Sequence, residues 1–237
     1  MKEPVVTILQ GAQGPYPPAD INVVIDVIRA FTVAHVAFMR GAHQILLVNT
    51  VQEALAQRAA HPEYLLAGEI DGLGIPGFDL DNSPYRFSLA QLSGRTLVQK
   101  TTNGVKATLA ALDARHVFVT GFSNARRTAR HVRTLALARG LVRVNVIASH
   151  GLDDDDLACA DFIRDGILGL ATVAPESVVQ RIRDSRPAAK FRSPVVNAFE
   201  PRDLEFCIRE LDGDFVMEVD RSHELPRITR KAVLDLR

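Results

Sequence analysis

Ile21-Asn22-Val23-Val24-Ile25 is a short, almost continuously apolar run that stops at Asp26. A strand of this composition is covered on both faces, as in a parallel sheet flanked by helices. The chain then repeats a two-part rhythm. From about Arg29 to Arg40, Phe31, Ala34, Val36, Ala37 and Phe38 recur at helical spacing, and Gly41 supplies a stop. Gln44 to Asn49 reads as a strand. Thr50 is a natural N-cap, and Glu53 completes a capping box for a helix over Val51 to Ala60. Further strands are expected at Val5 to Leu9, Tyr64 to Ala67, Arg95 to Lys100, His116 to Thr120 and Val142 to Ala148. Helices are expected at Ser88 to Leu92, Val105 to Leu112, Asn124 to Arg139 and Asp155 to Leu170. Such β/α alternation with short connections predicts a three-layer α/β/α architecture with a mainly parallel sheet.

After Leu170 the alternation weakens. A helix is expected at Pro175 to Asp184, irregular chain at Ser185 to Pro201, and a helix at Asp203 to Leu211. A strand follows at Phe215 to Val219. A last short strand at Leu225 to Thr229 is expected at a sheet edge, because Pro226 has no N–H to donate. The expectation is one domain over residues 1–237 with a smaller α+β C-terminal part, or a C-terminal subdomain at residues 172–237.

With 237 residues, 47% of them hydrophobic, the chain can bury a substantial core. Lys+Arg and Asp+Glu balance at 28 each, and no basic stripe interleaves with aromatics. Nucleic acid and anionic membrane surfaces are therefore not expected partners. Cys159 and Cys207 lie in apolar helical stretches and read as buried thiols, and two cysteines offer neither a disulfide framework nor a zinc pattern. No secretory signal and no apolar run of the ~18–20 residues a membrane span needs is visible, so a cytoplasmic protein is expected.

Leu66 to Pro84 interrupts the rhythm. Its nineteen residues hold four glycines, two prolines and four carboxylates. Loops longer than about 12–15 residues are usually functional or disordered. The apolar runs on either side place this one in a folded body, as a wall of a site. Ligands of open α/β sheets bind outside the carboxyl ends of the strands. That is where Asp26, Glu69, Thr101-Thr102-Asn103, Ser123-Asn124 and Asp153 to Asp156 fall.

Asp26 can cap a helix or hold a metal. Arg29 sits in the first helical turn, where the helix dipole disfavours a cation, which suggests an anion nearby. Thr101-Thr102-Asn103-Gly104 and Gly121-Phe122-Ser123-Asn124 are either capping turns or anion sites. The run Asp153-Asp154-Asp155-Asp156 is either a solvated acidic turn or a place where a divalent cation relieves repulsion. His150 precedes that run and is a candidate for proton transfer or ligation. Together these ingredients suit metal-assisted phosphoryl chemistry. No G-x-x-x-x-G-K-[ST] loop, dinucleotide fingerprint or G-x-S-x-G elbow is present. Asp26-Val27-Ile28 lacks the second acid expected of a haloacid dehalogenase-type nucleophile.

Asp26-Val27-Ile28-Arg29-Ala30, Gly77-Phe78-Asp79 with Asn82-Ser83-Pro84, Thr101-Thr102-Asn103-Gly104, Gly121-Phe122-Ser123-Asn124, Asp155-Asp156 with Cys159-Ala160, and Asp203-Leu204-Glu205-Phe206-Cys207 resemble, in that order, the 2-phosphosulfolactate phosphatase family. The resemblance covers nearly the whole chain. It implies an α/β fold and a Mg²⁺-dependent hydrolysis of 2-phosphosulfolactate, a small phosphorylated acid, on the way to coenzyme M. Asp26, Arg29, Asn103 and His150 are then the catalytic candidates. Arg29, Thr101, Thr102, Asn103, Gly104, Ser123, Asn124 and Asn82 are candidates for substrate binding, and Glu69, Asp79 and Asp156 for the metal. A homodimer is left open. Ile70 stands where the resemblance places an arginine, a change that would cost a charge-assisted contact of about 1.5–3 kcal/mol and bears on the substrate. An anion- or metabolite-binding protein of the same fold, with little phosphatase activity, is the alternative.

Overall fold

A computed structural model describes residues 3–151, 153–192 and 199–234. The first strands and helices follow the expected rhythm: β1 (Val5–Gln10), β2 (Ile21–Ile25), α1 (Ala30–Met39), β3 (Gln44–Leu47), α2 (Val51–Ala60) and β4 (Leu65–Ile70). The long loop is more ordered than its composition suggests. It contains β5 (Leu73–Gly74) and runs into α3 (Pro84–Leu89), which starts at Pro84 with Ser83 as its cap and not at Ser88. Next come β6 (Thr96–Lys100), α4 (Gly104–Ala110), β7 (His116–Thr120), α5 (Ala125–Arg139), β8 (Arg143–Ala148) and α6 (Asp154–Leu168). The C-terminal part adds α7 (Pro175–Asp184), α8 (Arg186–Ala189), α9 (Asp203–Cys207), β9 (Phe215–Asp220) and β10 (Arg227–Ala232). Part of the irregular stretch expected at Ser185 to Pro201 lies outside the described residues; its start folds as α8. Among the described residues no helix is long and apolar enough to cross a membrane.

The strands form one sheet in the order β1-β8-β2-β7-β9-β10-β3-β6-β4-β5. Two parallel groups, β1-β8-β2-β7 and β3-β6-β4, account for most of it. Between them lies the antiparallel pair β9-β10, which joins β7 on one side and β3 on the other. The last strand is thus interior, not at an edge. Pro226 sits just before it, and its carbonyl accepts from Leu47 N at 2.9 Å, so the missing N–H costs no ladder bond.

Helix α1 explains how the two groups meet. Nine of its ten residues are buried, the signature of a helix enclosed on every side. Val24, Val117 and Val119 from one group and Ile45, Leu47 and Leu97 from the other pack in one cluster around α1 and α4. The opposite face of the first group packs on α5, α6 and α7. That of the second group packs on Ala54 of α2. Sheet twist of about 20–25° per strand pair adds up to on the order of 100° between β2 and β6. The carboxyl ends of the two groups converge: Gln99 Nε2, near the end of β6, donates to Ala30 O at the start of α1 at 3.2 Å.

Candidate active site

Asp26 leaves β2 and turns directly into α1. Its Oδ1 accepts from Ala30 N at 2.9 Å, so it caps the helix as one of its two expected roles required. Its Oδ2 faces Gly104, where an added Cβ would lie 2.6 Å away. Glycine at 104 is what lets the exits of β2 and β6 close to contact. Asp26 is buried, and burial followed by the charges of Asp156 and Glu69 pushes its carboxyl up to about 8.

The acidic run divides because a helix turns each side chain to a different side. Asp153 pairs with Arg186 at 3.0 Å, and Asp154 with Arg181 at 2.5 Å. Asp155 and Asp156 are buried next to Asp26. Asp156 accepts from Val27 N at 2.8 Å, Ser149 Oγ at 3.0 Å and His150 N at 3.0 Å. Asp155 Oδ1 is buried without a hydrogen-bond partner among the described residues. Burial and the neighbouring carboxylates raise both, and among the described residues no Lys or Arg neutralises Asp26, Asp155 or Asp156.

Glu69, at the end of β4, is a latch. One oxygen accepts from Thr102 N at 2.5 Å, and the other from Thr102 Oγ1 at 3.0 Å and Gly72 N at 2.5 Å. It therefore binds the β4-β5 turn to the β6-α4 turn. That turn is Asp71-Gly72, with φ of 53° and 88°, the positive pair a two-residue type I′ hairpin requires. Asp-Gly between two strands is a hairpin signal that the loop expectation passed over. Gly68 is needed just before it: at φ 147°, an added Cβ would fall 1.9 Å from Lys100 O.

These exits surround a cleft of about 550 Å³ lined on one side by Asp26, Glu69, Asn82, Thr102 and Asn103. Arg29 and His150 also line it. Asn82 Oδ1 is buried with no hydrogen-bond partner among the described residues. Of the expected anion turn, Thr101 caps α4 through Val105 N at 3.0 Å, Thr102 lines the cleft with its hydroxyl given to Glu69, and Asn103 lines the cleft beside it.

Other candidates stand elsewhere. Ser123 and Asn124 are in the core: Ser123 Oγ is 3.0 Å from His35 Nδ1, and Asn124 Oδ1 accepts from Thr120 Oγ1 at 2.8 Å. Asp79 is exposed, pairs with Arg58 and accepts from Leu66 N at 2.7 Å. Ile70 is 44% exposed, pairs across the hairpin with Leu73 and does not line the cleft.

The opposite wall comes from the C-terminal part, where the sequence carried no recognised signal. Arg186, Lys190, Phe191 and Phe199 line it with Asp153. His150 Nδ1 lies 3.0 Å from Asp153 Oδ2, without the alignment of a hydrogen bond. The anion expected beside Arg29 is a protein carboxylate, Asp203 of α9. Arg29 donates to Asp203 Oδ2 and to Gly72 O, both at 2.8 Å, and its guanidinium lies 5.1 and 5.5 Å from the rings of Phe191 and Phe199.

Asp26, a buried carboxylate without a cationic partner among the described residues, thus shares one cleft with Arg29 and Lys190 at the carboxyl ends of the sheet of an α/β protein. A family model described as 2-phosphosulpholactate phosphatase matches residues 11–222. Relatives named probable 2-phosphosulfolactate phosphatase include one from Bacillus subtilis, 50% identical over 95% of this chain and 98% of the relative. One from Deinococcus radiodurans is 43% identical over 64% of this chain and 63% of the relative, and one from Thermus thermophilus 37% over 72% and 70%. The chain belongs to the 2-phosphosulpholactate phosphatase family, whose activity is that of a phosphoric monoester hydrolase.

Proposed function

We propose that this chain is a Mg²⁺-dependent phosphatase that hydrolyses the phosphate monoester of a small hydroxy acid, with 2-phosphosulfolactate, the substrate in its relatives' names, as the first candidate. The observation that carries the proposal is Asp26, a buried carboxylate that lines the cleft with Arg29 and neighbours the buried Asp155 and Asp156, none of the three paired with a Lys or Arg among the described residues. The donor set fits Mg²⁺. Its oxygens at the cleft are the carboxylate of Asp26 and the amide oxygen of Asn82, which has no partner among the described residues. Among the described residues no three His, Cys, Asp or Glu side chains are grouped so as to hold a metal ion by themselves. Mg²⁺ is commonly bound by one or two carboxylates, with water and substrate phosphate completing its shell.

Asp26 and Asp156 are the proposed holders of the ion, with Glu69 fixing the turn beside them. Bound there, Mg²⁺ would supply positive charge to the phosphoryl oxygens and orient the attacking water. Arg29 and Asn103 would hold the phosphoryl group where negative charge develops. His150, which lines the cleft beside Asp153, would pass a proton to the departing alkoxide. Lys190 and Arg186 would meet the acid end of the substrate, so Ile70 does not leave the cleft without cations.

Phosphate release from 2-phosphosulfolactate and from a panel of phospho-hydroxy acids, with Mg²⁺ and with EDTA, tests this. Mg²⁺-dependent turnover of at least one is expected. Binding without turnover of any would favour the anion-binding alternative.

A further inference from the structure

Asp203 is far from Arg29 in sequence and does not line the cleft, yet it is 0% exposed and its carboxylate is the anchor of the Arg29 side chain. Its other oxygen accepts from Ser83 Oγ at 2.5 Å and Tyr85 N at 3.1 Å. Two donors of one segment, at the start of α3, thus fix the carboxylate independently of Arg29. A guanidinium has five N–H donors in one plane. Arg29 gives one to Asp203 and one to Gly72 O, and both are rigidly held acceptors. These two bonds fix the plane and leave the remaining donors for the cleft. The rings of Phe191 and Phe199 close around the same group.

A carboxylate beside an anion site opposes anion binding by its charge. Its presence here, fully buried and triply held, calls for a benefit of another kind. We infer that Asp203 is a positioning residue: it orients Arg29 so that the free guanidinium donors face the phosphoryl group, and its contribution acts through Arg29 alone. The inference rests on the cleft being an anion site.

The two roles of Asp203 predict opposite signs. Removing its charge strengthens anion binding if Asp203 only offsets Arg29. It weakens anion binding if Asp203 positions Arg29. The test is the Kd of inorganic phosphate, by calorimetry in the presence of Mg²⁺, for wild-type protein, Asp203→Asn, Asp203→Ala, Arg29→Ala and the double variant Arg29→Ala/Asp203→Asn. Asp203→Ala is expected to weaken binding about tenfold or more, the scale of a charge-assisted hydrogen bond. Asp203→Asn, which keeps an acceptor, falls between it and wild type. In the Arg29→Ala background, Asp203→Asn changes Kd by less than about twofold. Thr50→Ala, which removes the capping box of α2 away from the cleft, is expected to leave Kd within about twofold, which separates positioning from general damage. Tighter phosphate binding by Asp203→Asn, or an additive loss in the Arg29→Ala background, overturns the inference. If Asp203→Ala does not fold, Asp203→Asn and the double variant still decide it. Wild-type protein that binds no phosphate overturns the site itself and this inference with it; wild-type binding with the wrong sign in Asp203→Asn overturns this inference alone.

Discussion

At Asp26, burial holds the carboxyl near 8 in the folded protein, against about 3.9 in an unfolded chain. Between those values the folded state binds more protons than the unfolded state. Stability contributed by this group therefore falls as pH rises from about 4 to about 8, by about 1.4 kcal/mol per pH unit for one such group. His35 acts the other way. Burial pushes it down to about 4, so the folded state binds fewer protons and stability is lost as pH falls from about 6.5 towards 4. The two offset each other on the acid side, and the decline should be plain between about 6.5 and 8. In urea unfolding with EDTA, Asp26→Asn is expected to be more stable than wild type at pH 8, with the gap closing towards pH 4. Equal stability at pH 8 would mean that the folded protein does not resist ionising Asp26. The position of Asp26 at a strand exit was legible in the sequence. The placement of Ser123 and Asn124 was not. Both follow a strand in the same way, but their polar atoms are satisfied by His35 and Thr120 inside the core, and the local pattern of a capping turn and a binding turn is the same.

The β4-β5 hairpin is the element on which the site's geometry depends. Gly72 supplies the carbonyl that holds Arg29, and its own N–H is held by Glu69. Gly72→Ala puts a side chain at φ 88° and within 3.1 Å of Phe199, so a loss of about 1 kcal/mol or more is expected in thermal or urea unfolding. Steady-state kinetics should show KM rising more than kcat falls. Helix α2 is the control. Its capping box is present as the sequence predicts, with Glu53 N donating to Thr50 Oγ1 at 3.1 Å and Glu53 Oε2 returning to Thr50 N at 3.0 Å. Thr50→Ala should cost about 0.5–2 kcal/mol of stability with kcat/KM unchanged. The box was legible because all its partners lie within four residues. The hairpin was legible only in its Asp-Gly turn, since what makes it part of the site is Thr102, thirty-three residues from Glu69.

Over the whole molecule, the alternation of strands and helices gave the layers, because each element's periodicity reports which of its faces is covered. It did not give the reversal between the two parallel groups. That reversal comes from β9 and β10, which enter the middle of the sheet from the C-terminal end of the chain and pair with β7 and β3. The same long-range closure brings Arg186 and Lys190 to the cleft from a stretch whose prolines break any periodic pattern, and Asp203 of α9 to Arg29. Half of the site was therefore readable at strand ends, and the other half exists only after the chain has folded back. In the proposed function, the carboxylates of one half and the cations of the other would together hold a hard cation and a phosphate monoester. Steady-state phosphate release from 2-phosphosulfolactate at pH 7.5, with Mg²⁺ titrated from zero, tests it directly. The account predicts turnover that rises with Mg²⁺, disappears with EDTA and falls by about a hundredfold or more in Asp26→Asn, the scale of a lost catalytic electrostatic contact. Turnover that is indifferent to Mg²⁺ and to Asp26→Asn would contradict it.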